Sequence, residues 1–130
     1  MLNKIQPTPL YRLDNLSKHL GIDLWVKRDD LIPFYLGGNK VRKNLQILSD
    51  APDSFDVLIT NGGAESNHAR VVALLGAQLG CKVELVLHGS KPVASQYNGN
   101  SYFLNASDAG THYVESHQIA GKIAELKLSH

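Results

Sequence analysis

One turn of the sequence lies where an α/β protein would bind a small ligand. It follows DVLIT (56–60), an apolar run typical of a buried strand, and it reads NGGAESN (61–67). In parallel sheets, ligands bind at the carboxyl ends of the strands, where the next turn leads into a helix. Gly62 and Gly63 would let the backbone approach such a ligand closely, because neither carries a side chain.

Polar side chains follow at the predicted start of the next helix. Ser66, Asn67 and His68 lie where unpaired backbone N–H groups and the helix dipole favour an anion. A carboxylate or a phosphate is therefore the predicted ligand. The alternative is a helix that is capped by Ser66 or Asn67 and binds no ligand.

A second candidate is Lys40, which ends the motif GGNK (37–40) and falls in the first turn of a predicted helix. The helix dipole disfavours a cation there by roughly 0.3–1 kcal/mol. A lysine that forms an imine benefits from this placement, because its neutral amine becomes easier to reach. A solvated surface lysine is the alternative, and we interpret Arg42 and Lys43 as surface charges.

Other chemistries have less support. We do not expect Ser66 and His68 to act as a hydrolase pair, because the sequence has no G-x-S-x-G elbow and residues two apart at a helix start point in different directions. No G-x-G-x-x-G or P-loop pattern occurs. The remaining histidines lack metal-ligand spacing, so no metal site is expected; they are His19, His88, His112, His117 and His130.

The predicted elements indicate an α/β fold. From residue 55 onward strands alternate with helices, which implies a parallel sheet flanked by helices and joined by right-handed crossovers. The predicted strands are 56–60, 81–89 and 111–115, and the predicted helices are 68–80, 99–109 and a last one that Ser116 caps. Before residue 50 the pattern differs, with a helix over 13–20 that Gly21 ends, a strand over 24–28, and a helix with Val41, Leu45 and Leu48 on one face.

Length and composition narrow the possibilities. The chain has 130 residues, room for one domain with a modest core, and a formal net charge of +1. This charge gives no reason to expect nucleic acid or a membrane surface as a partner. No apolar stretch approaches the roughly 20 residues of a membrane span, and the single cysteine, Cys81, cannot form a disulfide framework. We therefore expect a cytoplasmic protein.

Four segments together resemble one enzyme family. PTPLYRLDNLS, LWVKRDDL, GGNKVRK and GGAESNHAR are similar, in order and spacing, to the amino-terminal part of the 1-aminocyclopropane-1-carboxylate deaminase and D-cysteine desulfhydrase family. The similarity runs from about Pro7 to at least Val114. Members of this family are fold-type II pyridoxal-phosphate (PLP) enzymes. The resemblance implies an incomplete tryptophan synthase beta-like fold, in which a three-layer parallel sheet has flanking helices.

The resemblance also implies a role for each candidate residue. Lys40 matches the lysine that forms the imine with PLP, and Asn67 matches the asparagine that hydrogen-bonds the cofactor's ring hydroxyl. Ser66 matches the serine beside the substrate, a nucleophile or a proton-transfer partner. The backbone around Ser66 to His68 would hold the substrate carboxylate, so we assign substrate binding to Ser66, Asn67 and His68.

The sequence departs from the family pattern at two positions and in its extent. Glu65 stands where the family more commonly has glutamine, which would add a negative charge near a carboxylate site. His68 is typical of desulfhydrase-like members, whereas deaminases proper have glutamine there. Residues 1–50 match the start of the large PLP domain, and 51–130 match a βαβ portion of the small domain. We expect the carboxy-terminal part of the large domain, with its glycine-rich phosphate cup, to be absent.

The implied activity is PLP-dependent elimination or deamination of a small amino acid. D-cysteine desulfhydration, which releases sulfide, ammonia and pyruvate, is the first interpretation. Deamination of 1-aminocyclopropane-1-carboxylate is the alternative within the family, and a catalytically inactive truncated module is the alternative of another class. For the complete enzyme we expect a homodimer.

Overall fold

A computed structural model describes residues 4–52, 54–93 and 98–130 of the chain. The chain divides into two compact units, residues 1–49 and residues 50–130. No helix in the described ranges is long and apolar enough to cross a membrane. Each unit has its own secondary structure and its own buried side chains.

The first unit begins with two short antiparallel strands. Strand β1 (Leu10–Arg12) pairs with strand β2 (Trp25–Lys27), and helix α1 (Asp14–Leu20) connects them. Helix α1 ends where the sequence predicts, because Gly21 takes the left-handed backbone conformation with a φ of 68°.

A loop and a second helix complete the first unit. A 3-10 turn (Asp29–Leu31) precedes the loop that leads to helix α2 (Asn39–Ser49). The helix face predicted from the sequence is the buried one, since Val41 and Leu45 are buried and Leu48 is half-buried. Packing of this apolar face therefore anchors the start of α2.

The second unit is a three-stranded parallel sheet with a helix after each strand. Its strands lie in the spatial order β3 (Val57–Gly63), β4 (Lys82–His88) and β5 (Gly110–Val114). Its helices are α3 (Asn67–Leu79), α4 (Gly99–Ala106) and α5 (Ile119–Ser129). The predicted α/β fold with a parallel sheet and flanking helices is confirmed.

The alternation of side chains along β4 defines the two faces of this sheet. Val83, Leu85 and Leu87 pack with apolar side chains of α3 and α4 in the main core. Glu84 and Val86 point to the opposite face, where α5 lies. Because β4 is covered on both faces, its five central residues are all buried.

Strand β3 is longer than the sequence predicts. It does not stop at Thr60 but continues through Gly63, because β4 offers a pairing partner for every residue as far as His88. The turn predicted over 61–67 is therefore reduced to residues 64–66.

Two boundaries near the end of the chain also differ from the prediction. The helix predicted over 99–109 ends at Ala106, and Asp108 then takes a positive φ of 60°. Ser116 does not cap the last helix. It begins a short 3-10 turn that Glu115 caps, and α5 starts only at Ile119.

A buried carboxylate lies on the α5 side of β4. The Glu84 side chain is 6% exposed, and its oxygens lie 2.7 Å from His112 Nε2 and 3.0 Å from Lys82 Nζ. Burial acts to raise the pKa of Glu84, but the hydrogen bonds from His112 and Lys82 outweigh it and hold the pKa below its ordinary value. The charged form of Glu84 is therefore part of the folded structure.

We predict that Glu84 contributes to acid sensitivity. A carboxylate whose pKa is lowered by folding stabilises the native state above its unfolded pKa of 4.5, and this stability is lost as the pH falls through the lower folded value. Between neutral and strongly acidic pH, the free energy of unfolding in urea should therefore fall less in Glu84→Gln than in the unchanged protein. Glu125→Gln, at a largely exposed carboxylate on α5, is the control and should leave the fall unchanged. Equal acid sensitivity in all three proteins would contradict the prediction.

Candidate functional site

Lys40 lies in the first turn of α2, where the sequence places it. The residue is half-buried, and its Nζ makes no hydrogen bond or ion pair with the described part of the chain. An accessible, unpaired amine is the group that a carbonyl compound needs for imine formation.

The backbone just before Lys40 adopts an uncommon conformation. Residues 35–38 all have positive φ, with values of 50° at Tyr35, 64° at Leu36, 68° at Gly37 and 92° at Gly38. Such left-handed backbone costs roughly 1–2 kcal/mol at a residue that carries a side chain. The structure maintains this conformation at two residues that disfavour it, which is typical of segments that position a functional group.

Close contacts explain why glycine stands in this segment. A Cβ on Gly37 would meet the backbone oxygen of Asp30 at 2.6 Å. The Gly38 N–H donates a hydrogen bond to the Asp29 carbonyl oxygen at 2.7 Å. The loop is thus held tightly against the 3-10 turn that precedes it.

An ion pair ties α2 to the same turn. Arg42 Nη2 lies 2.9 Å from Asp29 Oδ1, and Thr8 Oγ1 donates to the same oxygen at 2.7 Å. The contact from Arg42, followed by that from Thr8, lowers the pKa of Asp29 to about 2. Arg42 is therefore more than the surface charge that the sequence suggested, whereas Lys43 is exposed.

In the second unit, Ser66 is the N-cap of α3. Its Oγ accepts a hydrogen bond from the Ala69 N–H at 3.2 Å, so the helix cap that the sequence suggested is present. The hydroxyl proton of Ser66 is not needed for this bond. Gly62 packs closely on the same side chain, since a Cβ there would meet Ser66 Oγ at 2.6 Å.

His68 is the second residue of the same helix and contacts the strand before it. Its Nε2 is 2.8 Å from Thr60 Oγ1, which joins the start of α3 to β3. Ser66, Asn67 and His68 therefore lie together after the end of β3, and Lys40 belongs to the other unit. In the described ranges no group of three or more His, Cys, Asp or Glu side chains is placed to hold a metal ion.

The side chain of Asn67 is exposed but has a defined orientation. Its Oδ1 accepts hydrogen bonds from Arg70 Nη1 and from Asn100 Nδ2, both at 2.9 Å. An arginine side chain can only donate, so the Asn67 atom that faces it must be the oxygen. The Asn67 Nδ2 makes no hydrogen bond to the described residues, and it is left as a donor for a ligand.

Sequence analysis did not identify Arg70 or Asn100. Arg70 follows Asn67 by three residues on a helix, a spacing that brings two side chains together and could have been noticed. Asn100 lies 33 residues from Asn67, and no local pattern connects the two.

Glu65 carries a negative charge beside these residues, and the structure directs that charge to α4. Its Oε2 accepts hydrogen bonds from the backbone N–H groups of Asn100 at 2.8 Å and Ser101 at 3.2 Å. The side-chain contact with Ser101, followed by these backbone donors, holds the pKa of Glu65 below its ordinary value. The carboxylate thus caps the first turn of α4 and is matched by the helix dipole.

The second unit is thus an α/β fold with Ser66, Asn67 and His68 at the start of the helix after β3, and the first unit has Lys40 in the first turn of α2. The family model described as "Pyridoxal-phosphate dependent enzyme" matches residues 1–127. The chain belongs to this family, whose cofactor is PLP.

Individual relatives agree with this family. A protein of Pyrococcus furiosus whose name proposes a 1-aminocyclopropane-1-carboxylate deaminase is 46% identical over 91 residues, which cover 69% of this chain and 28% of that protein. A D-cysteine desulfhydrase of Klebsiella pneumoniae is 41% identical over 103 residues, covering 76% of this chain and 31% of that protein. The crystal structure of an ACC (1-aminocyclopropane-1-carboxylate) deaminase homologue superposes with a TM-score of 0.79 at 35% identity, covering 96% of this chain and 40% of that one. The chain therefore spans about a third of the length of the curated relatives that it matches.

The residues present fit PLP. Lys40 offers an amine without a competing partner among the described residues, as a bond to the cofactor aldehyde requires. The Asn67 Nδ2 is a donor for an oxygen acceptor such as the ring hydroxyl of PLP, and its own oxygen is already occupied.

We predict that Gly37→Ala is more destabilising than the matched substitution Gly21→Ala. Both glycines have a φ of 68°, but a Cβ meets nothing within 4 Å at Gly21 and a backbone oxygen at 2.6 Å at Gly37. Gly21→Ala should cost about 1 kcal/mol from the left-handed conformation alone, and Gly37→Ala should cost more because backbone has to move. The free energy of unfolding in urea measures both. Equal losses would show that the contact with Asp30 relaxes without cost.

Proposed function

We propose that this chain contributes to PLP-dependent elimination or deamination of a small amino acid, with D-cysteine desulfhydration as the leading activity. The observation that carries the proposal is the fixed carboxamide of Asn67, which presents a donor next to Ser66 at the start of α3. His68 favours the desulfhydrase, because its type at this position resembles the desulfhydrase-like members of the family. Similarity to a D-cysteine desulfhydrase supports the same activity.

Deamination of 1-aminocyclopropane-1-carboxylate is the second candidate. It is favoured by the relative with 46% identity and by the solved ACC deaminase homologue. Both activities use the same cofactor and a small amino acid with a free carboxylate. The third candidate is a catalytically inactive module.

Each proposed residue has one task. Lys40 supplies the amine that binds the cofactor covalently, and Asn67 donates a hydrogen bond to the ring hydroxyl. The start of α3, from Ser66 to His68, holds the substrate carboxylate, because a helix N-terminus favours an anion. The Ser66 N–H is not one of the donors, since it donates to the Gly63 carbonyl oxygen at 3.0 Å. Residues 1–50 belong to the large PLP domain and residues 51–130 to the small one.

The chemistry is divided between cofactor and protein. PLP, when bound, supplies the electron sink for the reacting substrate carbon. The Ser66 hydroxyl accepts from the Ala69 N–H and keeps its own proton to donate, so it can hold or move a proton at the substrate.

We further propose a cytoplasmic homodimer for the complete enzyme. A cytoplasmic location is consistent with the single cysteine, Cys81. Burial raises the pKa of its thiol, so the thiol reacts less readily. Sedimentation of the intact protein from its source tests the dimer.

Product analysis separates the three candidates. The protein is incubated with PLP and either D-cysteine or 1-aminocyclopropane-1-carboxylate. Sulfide, ammonia and pyruvate from D-cysteine support the desulfhydrase, whereas ammonia from the cyclopropane substrate alone supports the deaminase. Absence of product from both substrates, at the protein's native length, supports the inactive module.

We predict that Lys40 is the residue labelled when PLP is reduced onto the protein. Borohydride treatment followed by peptide mapping should place the pyridoxyl group on Lys40, because its amine lies in a helix start and has no partner in the described ranges. Lys43→Ala, three residues along the same helix, should keep the label, and Lys40→Ala should lose it. A label that stays on another lysine would overturn the assignment.

We predict that loss of the Ser66 hydroxyl lowers turnover by about 10²–10⁴-fold. Ser66→Ala also removes the helix cap, at about 1 kcal/mol of stability. Ser66→Asn is the matched control, because asparagine caps helices well but carries no hydroxyl. Both variants should lose turnover while Ser66→Asn keeps its melting temperature. Activity that follows stability instead, lost in Ser66→Ala and kept in Ser66→Asn, would show that Ser66 is only a cap.

A further inference from the structure

The cluster around Asn67 contains a buried arginine that no proposed chemical step uses. Arg70 is 8% exposed, and its Nη1 donates to Asn67 Oδ1 at 2.9 Å and to Asn100 Oδ1 at 2.8 Å. Burial lowers the pKa of Arg70, which reflects the cost of removing its charge from water. A guanidinium retained in such a place needs a specific polar contact to offset that cost.

Asn100 completes the arrangement from the other side. Its Nδ2 donates both to the Glu65 carbonyl oxygen at 2.8 Å and to Asn67 Oδ1 at 2.9 Å. With Arg70 on its own Oδ1, the Asn100 carboxamide has a partner at each end. Asn100 therefore cannot rotate without breaking several hydrogen bonds at once.

We propose that Arg70 and Asn100 are positioning residues that fix the carboxamide of Asn67 with its nitrogen presented to the cofactor. The inference rests on the proposed function, in which Asn67 donates to the ring hydroxyl of PLP. Neither Arg70 nor Asn100 needs to touch the cofactor, since both act through Asn67.

The physical reason is the symmetry of a carboxamide. The last torsion of an asparagine side chain is broad and roughly two-fold, so an unrestrained Asn67 at an exposed position presents oxygen about as readily as nitrogen. A carboxamide oxygen would repel the ionised form of the ring hydroxyl, whereas the nitrogen can donate to it. Two donors on Asn67 Oδ1 hold that atom in place, and only the nitrogen remains available.

The first test measures this orientation without cofactor. Nitrogen-15 relaxation of the Asn67 side-chain NH₂, assigned with Asn67→Ala, should report a rigid group that becomes mobile in Asn100→Ala and in Arg70→Lys. Asn100→Ala keeps the backbone N–H groups of α4 that donate to the Glu65 carboxylate, so the variant is expected to fold. Asn105→Ala, an exposed position on the same helix, is the control and should change nothing. An NH₂ group that stays equally rigid in both variants overturns the proposal.

The second test asks whether the orientation reaches the cofactor. The visible absorbance of added PLP is measured against pH, and the spectrum of Lys40→Ala is subtracted as background. The substitution Asn67→Ala should move the pH midpoint of this absorbance by about one pH unit. Asn100→Ala should move it in the same direction, and the double variant Asn67→Ala/Asn100→Ala should match Asn67→Ala alone.

The outcomes separate the inference from the function on which it rests. A shift in Asn67→Ala that neither Asn100→Ala nor Arg70→Lys reproduces overturns the positioning role alone. Additive shifts in the double variant also overturn it, because they would mean that Asn100 acts independently of Asn67. An unchanged midpoint in Asn67→Ala overturns the assignment of Asn67 to the cofactor, and the positioning role with it.

Discussion

The parallel pairing of β3 with β4 is the constraint on which the second unit depends. Strand β4 is buried on both faces, so a slip of one residue would exchange its apolar core side chains with Glu84 and Val86. The register is therefore fixed over seven residue pairs, the last of which joins Gly63 to His88. This pairing sets where β3 ends, and the cap of α3, Ser66, follows three residues after that end. Packing of the core thus places the polar residues at the edge of the sheet.

The polar groups at that edge form one connected set. Glu65 and Asn100 join the turn after β3 to the start of α4, and Arg70 donates to both Asn100 and Asn67. The negative charge of Glu65, which could have opposed an anionic ligand, is instead directed at the backbone donors of α4. The charge of Glu65 is thereby engaged by the start of α4.

In the first unit, a loop with left-handed backbone leads into the helix that begins near Lys40. Its stabilising contacts converge on one residue, since Asp29 accepts from Arg42 and Thr8 with its side chain and from Gly38 with its carbonyl oxygen. These contacts offset the cost of positive φ at Tyr35 and Leu36. The conformation before Lys40 is thereby defined by hydrogen bonds and by the absence of a side chain at Gly37.

The sequence by itself determined the local features of this protein. Helix α3, its end at Gly80, the buried face of α2 and the place of Lys40 all follow from periodicity and from residues that act within one turn, such as caps and left-handed glycines. Only the tertiary structure decided the length of β3, the contact of Asn67 with Asn100 and the burial of Glu84. Asn100 lies 33 residues from Asn67 along the chain, and His112 lies 28 residues from Glu84. The physical reason is that a strand continues as far as its neighbour offers hydrogen bonds, and a polar side chain binds whatever the fold brings to it, which no local pattern encodes.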